Sequence, residues 1–401
     1  MKKRKYRAKN VKSVDFERLV ERSPSRLIIG IDVAKETMYA ALMKPSEEVL
    51  ATVKWNHLRE SRDVVARFAQ LLVGSVEVVM EPSGTYGDCL RWQCYAAGLP
   101  VHRVKPKQVK DLSETYDGVP SSHDAKSAGV IAWVHLLGRS EPWEPRSDER
   151  RTLAATVETA TMHDRAFRQT QNSLEARLAR FWPEVPQELA LNSATLLELL
   201  ARYGGPAGVA QAPQEAHTLM VQVSGNGLDP AKIERVIDSA GSTLGVPMVE
   251  AEQEALRQLA AEARHQQKAK YKAKKRVEAL SEDSSITQPV GEVVGRLTAA
   301  VLEVKLGTAA DYPSPQSYVK AAGLNLKIRS SGQRTGQLAI TKRGPGMVRQ
   351  YLAPPVLGGA IRHIRYDYLL LRMKFTRFAD KKTDCIRINI KHNLPSVSLL
   401  L

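Results

Sequence analysis

The chain has 401 residues, 59 Lys and Arg against 43 Asp and Glu, a formal net charge of +16 and 43% hydrophobic residues, enough length for two or three domains and enough apolar material for real cores. No run approaches the roughly 18–20 apolar residues of a membrane span, and three cysteines (Cys89, Cys94 and Cys385) exclude a disulfide framework, so a soluble chain in the reducing cytoplasm is expected. The basic surplus points to a polyanionic partner, nucleic acid before membrane.

Residues 1–12 are rich in Lys and Arg with no apolar stretch behind them, so residues 1–25 read as a basic N-terminal arm and not as a secretory signal. Residues 26–43 hold two apolar runs of strand length separated by the polar Ala34-Lys35-Glu36, and residues 49–55 are a third, which implies an antiparallel meander. A helix over 57–72, a buried strand over 76–80, a helix over 87–97, a strand over 101–104 and a helix over 124–137 follow. The order βββαβαβα is that of an α/β ribonuclease H-like domain, bounded here at residues 26–144. Residues 146–180 and 251–280 lack Gly and Pro and predict two long helices, an antiparallel coiled-coil arm over 145–283 with a helical insertion at about 182–248.

In the second of these helices, residues 264–276 carry seven Lys or Arg in thirteen positions, among them Lys268, Lys270, Lys272, Lys274 and Lys275. Such a run is either a solvated face or a contact for phosphates. Residues 312–366 then contain no acid at all, while Lys320, Lys327, Arg329, Arg334, Lys342, Arg343, Arg349, Arg362 and Arg365 are basic, as expected of a surface against a nucleic-acid backbone.

Two predicted strands end on carboxylates. Asp32 follows the apolar run 27–31 beside Gly30, Glu81 follows 76–80 ahead of Pro82-Ser83-Gly84, and Asp124 opens a helix. If the strands are neighbours the three acids converge, and oxygen donors so placed suit hard cations such as Mg²⁺, a pair of which clamps the attacking and leaving oxygens of a phosphodiester. Residue types alone leave two other readings open. Asp124 can be a helix cap, and a Gly-Ile-Asp strand also opens sugar-kinase and actin-like folds, although no Gly-rich phosphate loop follows here.

Four segments carry a specific resemblance. Ile29-Gly30-Ile31-Asp32-Val33-Ala34-Lys35, Met80-Glu81-Pro82-Ser83-Gly84, Val104-Lys105-Pro106-Lys107-Gln108-Val109 and His123-Asp124-Ala125-Lys126-Ser127-Ala128 resemble the successive motifs of the DEDD transposases of bacterial insertion sequences, recombinases guided by a bridge RNA. The resemblance implies a RuvC-like first domain whose four acids bind divalent metal, Asp32, Glu81 and Asp124 being the first three, with Lys105 and Lys107 at nucleic acid. The fourth acid is missing. Three residues after Asp124, in a register fixed by Ala128 and Val130-Ile131-Ala132, stands Ser127. An i, i+3 pair shares one helix face, and a hydroxyl is a weaker metal ligand than a carboxylate. Weakened metal binding and reduced or absent cleavage are therefore expected, as in a decayed or inactivated copy, unless a water or Asp117 substitutes.

Downstream, residues 318–327, Arg329-Ser330-Ser331-Gly332 and residues 340–346 resemble the same family's C-terminal domain, placed at 284–372. That domain is mostly α and implies a serine that attacks DNA to form a phosphoserine link. Ser331 is favoured because it precedes Gly332, with Ser330 in reserve, and Arg329, Arg334, Lys342, Arg343 and Arg349 supply positive charge to the phosphate. Without the resemblance, Ser-Ser-Gly is only a polar turn. Residues 289–300 resemble a helix-hairpin-helix, or are an ordinary helix start at Gly295. Pro354-Pro355 interrupts a helix that the family continues, and the tail at 373–401 departs from the family, as a shifted or truncated reading frame would produce. The expected function is RNA-guided DNA cleavage, exchange and rejoining with Mg²⁺ as cofactor. Donor and target DNA and a structured guide RNA are the expected partners, the arms pair to give a dimer or tetramer, and the location is the bacterial cytoplasm at the nucleoid. The rivals are a metal-dependent Holliday-junction-type nuclease that cuts by water and a catalytically inactive nucleic-acid-binding relic.

Overall fold

The strand Leu27–Asp32 lies in the middle of a seven-stranded sheet and is buried on both faces, which is why its sequence is an unbroken apolar run. The computed structural model describes residues 6–22, 25–71, 74–82, 84–282, 287–331 and 334–352, and the chain divides into two units, residues 1–146 and 147–401. In chain order the first unit contains β1 (Lys9–Asn10), α1 (Phe16–Glu21), β2 (Leu27–Asp32), β3 (Thr37–Met43), β4 (Val49–Asn56), α2 (His57–Ala69), β5 (Val76–Met80), α3 (Asp88–Ala96), β6 (Val101–Val104), α4 (Pro106–Asp117), α5 (Asp124–Leu136) and β7 (Ser140–Pro142). The strands lie in the order β1-β4-β3-β2-β5-β6-β7, with β3 antiparallel to β2 and β4, and with β5 and β6 parallel to β2. This is the ribonuclease H-like arrangement that the strand order predicts.

Alternation along the strands sorts the core into two layers. Leu27, Ile29 and Ile31 join Trp55, Phe68, Met80 and Leu90 beneath α2 and α3, while Ile28 and Val79 join Val104, Val109, Val130 and Ile131 beneath α4 and α5. Gly30 lets the second layer close. A Cβ there would stand 2.4 Å from the Ala128 carbonyl oxygen and 2.5 Å from the Ala132 nitrogen, so α5 packs backbone to backbone on β2.

The N-terminal segment is not a free arm among its described residues. β1 pairs in parallel with β4, and Val11, Val14 and Phe16 are buried in the first core layer. Arg67 donates to the carbonyls of Val11 and Val14, both at 3.2 Å, and lies 4.6 Å over the Phe16 ring. Three apolar positions inside a basic stretch bind it to the sheet edge.

In the second unit α6 (Asp148–Phe181) and α12 (Glu250–Glu282) are 34 and 33 residues long, each about 50 Å. Arg180 faces Glu252 and Asp164 faces Lys270, so the two helices run antiparallel. Between them α7 (Val185–Glu188), α8 (Ala194–Tyr203), α9 (Pro206–Gln211), α10 (Pro213–Ser224) and α11 (Pro230–Gly241) close around Leu196, Leu200, Met220 and Val236. Then follow α13 (Gln288–Val294), α14 (Arg296–Leu306), α15 (Pro315–Ala321) and an antiparallel hairpin of β8 (Leu326–Ser331) and β9 (Arg334–Ile340). Val301 and Val304 of α14 pack with Leu153 and Val157 of α6 and with Val277 of α12. Apart from this hairpin the described residues of the C-terminal part are helical or loop, in keeping with the mostly α domain expected. Pro354-Pro355 and the tail at 373–401 lie outside the described residues.

Candidate functional site

Ile31 and Met80 are the last paired residues of the parallel strands β2 and β5, so Asp32 and Glu81 leave the sheet side by side at its carboxyl end. The close seat of α5 on Gly30 brings Asp124, the first residue of that helix, toward the same end. Burial first, then the charges of Asp124 and Glu81, push Asp32 up to about 7, against a hydrogen bond from the Val33 backbone that favours its ionised form. Asp124 is not the helix cap: the His123 side chain takes that place, its Nδ1 accepting from the Lys126 N–H at 3.2 Å. Oxygen donors of this kind suit a hard divalent cation, whose charge would offset both the burial of Asp32 and the nearby carboxylates. With Ser127, half-buried one helical turn after Asp124, the set is three carboxylates and a hydroxyl.

Asp117 does not stand in for the missing acid. Its carboxylate is 2.7 Å from the Lys126 ammonium and accepts from the Tyr6 hydroxyl at 2.5 Å and from the Val119 N–H at 3.0 Å. Burial opposes its ionisation, yet these three donors pull it down to about 2. Lys126 is itself buried and donates to the carbonyls of Val119 and Ser121. Two residues after Asp124 it reads in sequence as one more solvated lysine, and nothing in the local pattern marks its burial.

The basic candidates divide by what they touch. Lys270 sits 2.5 Å from the buried Asp164 and over the Phe167 ring, Lys268 is 3.5 Å from Glu198, and Lys274 is 3.6 Å from Glu278. Lys270 thus ties α12 to α6 and does not point outward as a phosphate contact; a run on a 3.6-residue period must send some side chains to the helix partner. Lys272 and Lys275 are exposed, Lys275 lying over the Tyr271 ring. Lys105 is ion-paired with Glu141 at 2.5 Å and Lys107 with Asp111, all at the surface, where such pairs contribute little.

Ser330 and Ser331 close β8, and Ser331 pairs across the hairpin with Arg334, with an irregular ladder between Arg329 and Ser331. Gly332, on which the choice of Ser331 rests, lies outside the described residues. Lys342 and Arg343 are exposed in the loop after β9, and Lys342 takes a left-handed backbone with φ of 55° while its N–H donates to the Gly323 carbonyl at 3.0 Å. Arg349 is engaged with the protein's own backbone. Its guanidinium donates to the carbonyls of Gly344 (2.8 Å) and Ala322 (3.3 Å), a clasp that holds the loop onto α15. Upstream, α13 and α14 join through Gly295 alone, at φ 84°, and α14 starts directly after it, the ordinary helix start that the sequence leaves open beside a helix-hairpin-helix.

Sequence reasoning also passed over a second cluster at the other end of β5. Glu77 is salt-bridged to Arg26 at 2.6 Å and lies 2.7 Å from His135. Arg26 first, and His135 with it, hold Glu77 down to about 2 against the effect of burial, and burial lowers His102 beside it. The only hint was a glutamate inside the apolar run 76–80.

Comparison with known proteins finds one family model over each of two parts of the chain. A transposase family model of the IS110 DEDD type matches residues 29–183, and the model described as transposase, IS116/IS110/IS902 family, matches residues 292–365. The chain is 24% identical over 319 residues, 76% of its length and 77% of the relative's, to the insertion element IS110 uncharacterized 43.6 kDa protein of Streptomyces coelicolor. Among solved structures it is similar to T. thermophilus RuvC in complex with Holliday junction substrate, at 15% identity and a TM-score of 0.24, over 29% of this chain and 99% of that one.

Proposed function

Because the chain belongs to the IS110 family of DEDD transposases, we propose that it cuts and rejoins DNA through a phosphoserine intermediate, guided by a structured RNA. The observation that carries this reading is the Asp32–Glu81–Asp124 centre, where burial and the two neighbouring carboxylates make the charge on Asp32 costly unless a cation offsets it. A divalent ion such as Mg²⁺ held there would supply that charge at the phosphodiester oxygens. Asp32 must shed its proton to serve as a ligand, so the centre loses donors as pH falls below about 7. Ser331 is the nucleophile: its oxygen forms a bond to phosphorus as the bond to one DNA oxygen breaks, and the serine proton leaves with the solvent or the departing oxygen. Attack by a DNA hydroxyl on that phosphoserine restores the serine and rejoins the strand. Lys342 and Arg343, exposed beside the hairpin, offset the charge on the phosphate. A guide RNA suits a chain with 6% aromatic residues and a large basic surplus, which holds backbones and leaves sequence reading to base pairing. Donor and target DNA, an RNA of the element and a dimer or tetramer of the chain at the bacterial nucleoid complete the proposal.

Ser127 favours a second reading, a chain that binds nucleic acid but cuts poorly or not at all. One assay separates the readings. Full-length protein is incubated with guide RNA, target DNA and Mg²⁺ and searched for a DNA-linked protein band. The band is expected in the Ser127→Asp variant and absent when Ser331→Ala is added. Cutting that survives Ser331→Ala without a linked band indicates a water-using nuclease instead. Binding without cutting in every variant indicates the relic.

A further inference from the structure

A carboxylate and two imidazoles converge at the end of the sheet away from Asp32 and Glu81. Glu77 precedes Glu81 by four residues in β5, about 13 Å along a strand. Its Oε2 is 2.7 Å from His135 Nε2 and 3.7 Å from His102 Nε2, and the two rings stand 4.6 Å apart. One ligand atom from each of the three lies within 4.8 Å of the others, the only such group among the described residues. The three side chains come from β5, β6 and α5, so the sheet and its helix, and no loop, hold the arrangement.

The hydrogen bonds here account for Glu77, Arg26 and His135. They do not account for His102, whose Nε2 faces the same oxygen from beyond hydrogen-bond distance. His135 is oriented from behind by Ser140 Oγ, 2.7 Å from its Nδ1, which leaves Nε2 directed at Glu77; outer partners of metal-binding imidazoles act in this way. Arg26 is the present counter-ion, with Nε 2.6 Å from Glu77 Oε1 and Nη2 3.3 Å from His135 Nε2. Its side chain is 39% exposed, so it can turn to solvent.

We propose that Glu77, His102 and His135 form a site for a divalent transition metal of the zinc class, which Arg26 vacates as the ion enters. Two imidazole nitrogens and one carboxylate are a zinc-type donor set, whereas Mg²⁺ prefers oxygen alone, so this site and the acid centre select different ions. A bound ion links β5, β6 and α5, of which β5 leads into Glu81 and α5 begins at Asp124.

The test uses the full chain, stripped of metal by a chelator and then titrated with Zn²⁺ against a chromogenic competitor, with Co²⁺ absorption as a second readout. One equivalent of Zn²⁺ per chain is expected, and it persists in Asp32→Asn. His102→Gln and Glu77→Gln lose affinity by more than the roughly 10–100-fold that removal of an outer partner costs, and Ser140→Ala falls within that range. Circular dichroism checks folding. Should Glu77→Gln fail to fold, His102→Gln decides alone, because its ring nitrogen makes no hydrogen bond to Glu77 in the metal-free chain. No equivalent taken up by the wild type, uptake unchanged in His102→Gln, or loss in Asp32→Asn instead overturns the proposal.

Discussion

Asp32 carries the clearest single-residue consequence. Its proton, held to about 7 in the folded chain, leaves an unfolded aspartate near pH 4. Between those values the native state binds more protons than the unfolded one, so stability falls as pH rises through the window and stays low above it. Urea denaturation in metal-free buffer should show wild type less stable at pH 8 than at pH 5 by on the order of 2–4 kcal/mol from this group, a difference that Asp32→Asn removes. Ser127 makes the complementary prediction. Ser127→Asp adds a carboxylate on the Asp124 face of α5, and calorimetry should record at least tenfold tighter Mg²⁺ binding together with gained DNA cleavage. Unchanged binding and cleavage would show that this serine is not the lesion. That Ser127 breaks the acid pattern was legible in the sequence, but that Asp117 cannot replace it was not, because the Lys126 and Tyr6 contacts that occupy it are tertiary.

Gly30 decides how β2 and α5 fit. Any side chain there drives the Ala128 carbonyl and the Ala132 nitrogen away, and both are backbone atoms of α5 that cannot turn aside. Gly30→Ala should cost about 1–3 kcal/mol in a denaturant titration and, by moving the helix that begins at Asp124, also weaken metal binding. The glycine's use was readable from its place before Asp32; its partner was not. In the long helices the order is reversed. The pairing of α6 with α12 follows from composition, yet which lysines face outward depends on register. Lys272→Ala and Lys275→Ala should each lower the slope of log affinity for DNA against log salt by about 1, whereas Lys270→Ala should leave that slope and lower the melting temperature, since it strips the buried Asp164 of a partner.

At the scale of the whole molecule the charge of +16 makes nucleic-acid binding steeply salt-dependent, and no helix among the described residues is long and apolar enough to cross a membrane. Much of the architecture follows from local pattern alone: the βββαβαβ run and the helix that opens at Asp124, between which only α4 was not foreseen, the paired long helices and the three acids at element ends are all consequences of periodicity and short-range motif. The exceptions share a cause. β1 was hidden because the apolar signal at Val11, Val14 and Phe16 is sparse within a basic stretch, and the β8–β9 hairpin because residues 326–340 alternate weakly and pair only with each other. Arg349 looked like a phosphate ligand because nothing in a sequence shows that two carbonyls, at Ala322 and Gly344, will be brought to it. The domain class, the family motifs and the replacement of one acid by Ser127 can be read from the residues alone, since they depend on residue identity and near spacing. Which charges meet follows from folding: burial and neighbouring acids raise Asp32, Lys126 occupies Asp117, and Glu77, His102 and His135 are gathered, because Coulomb energy and desolvation depend on distance and burial, which chain order does not contain.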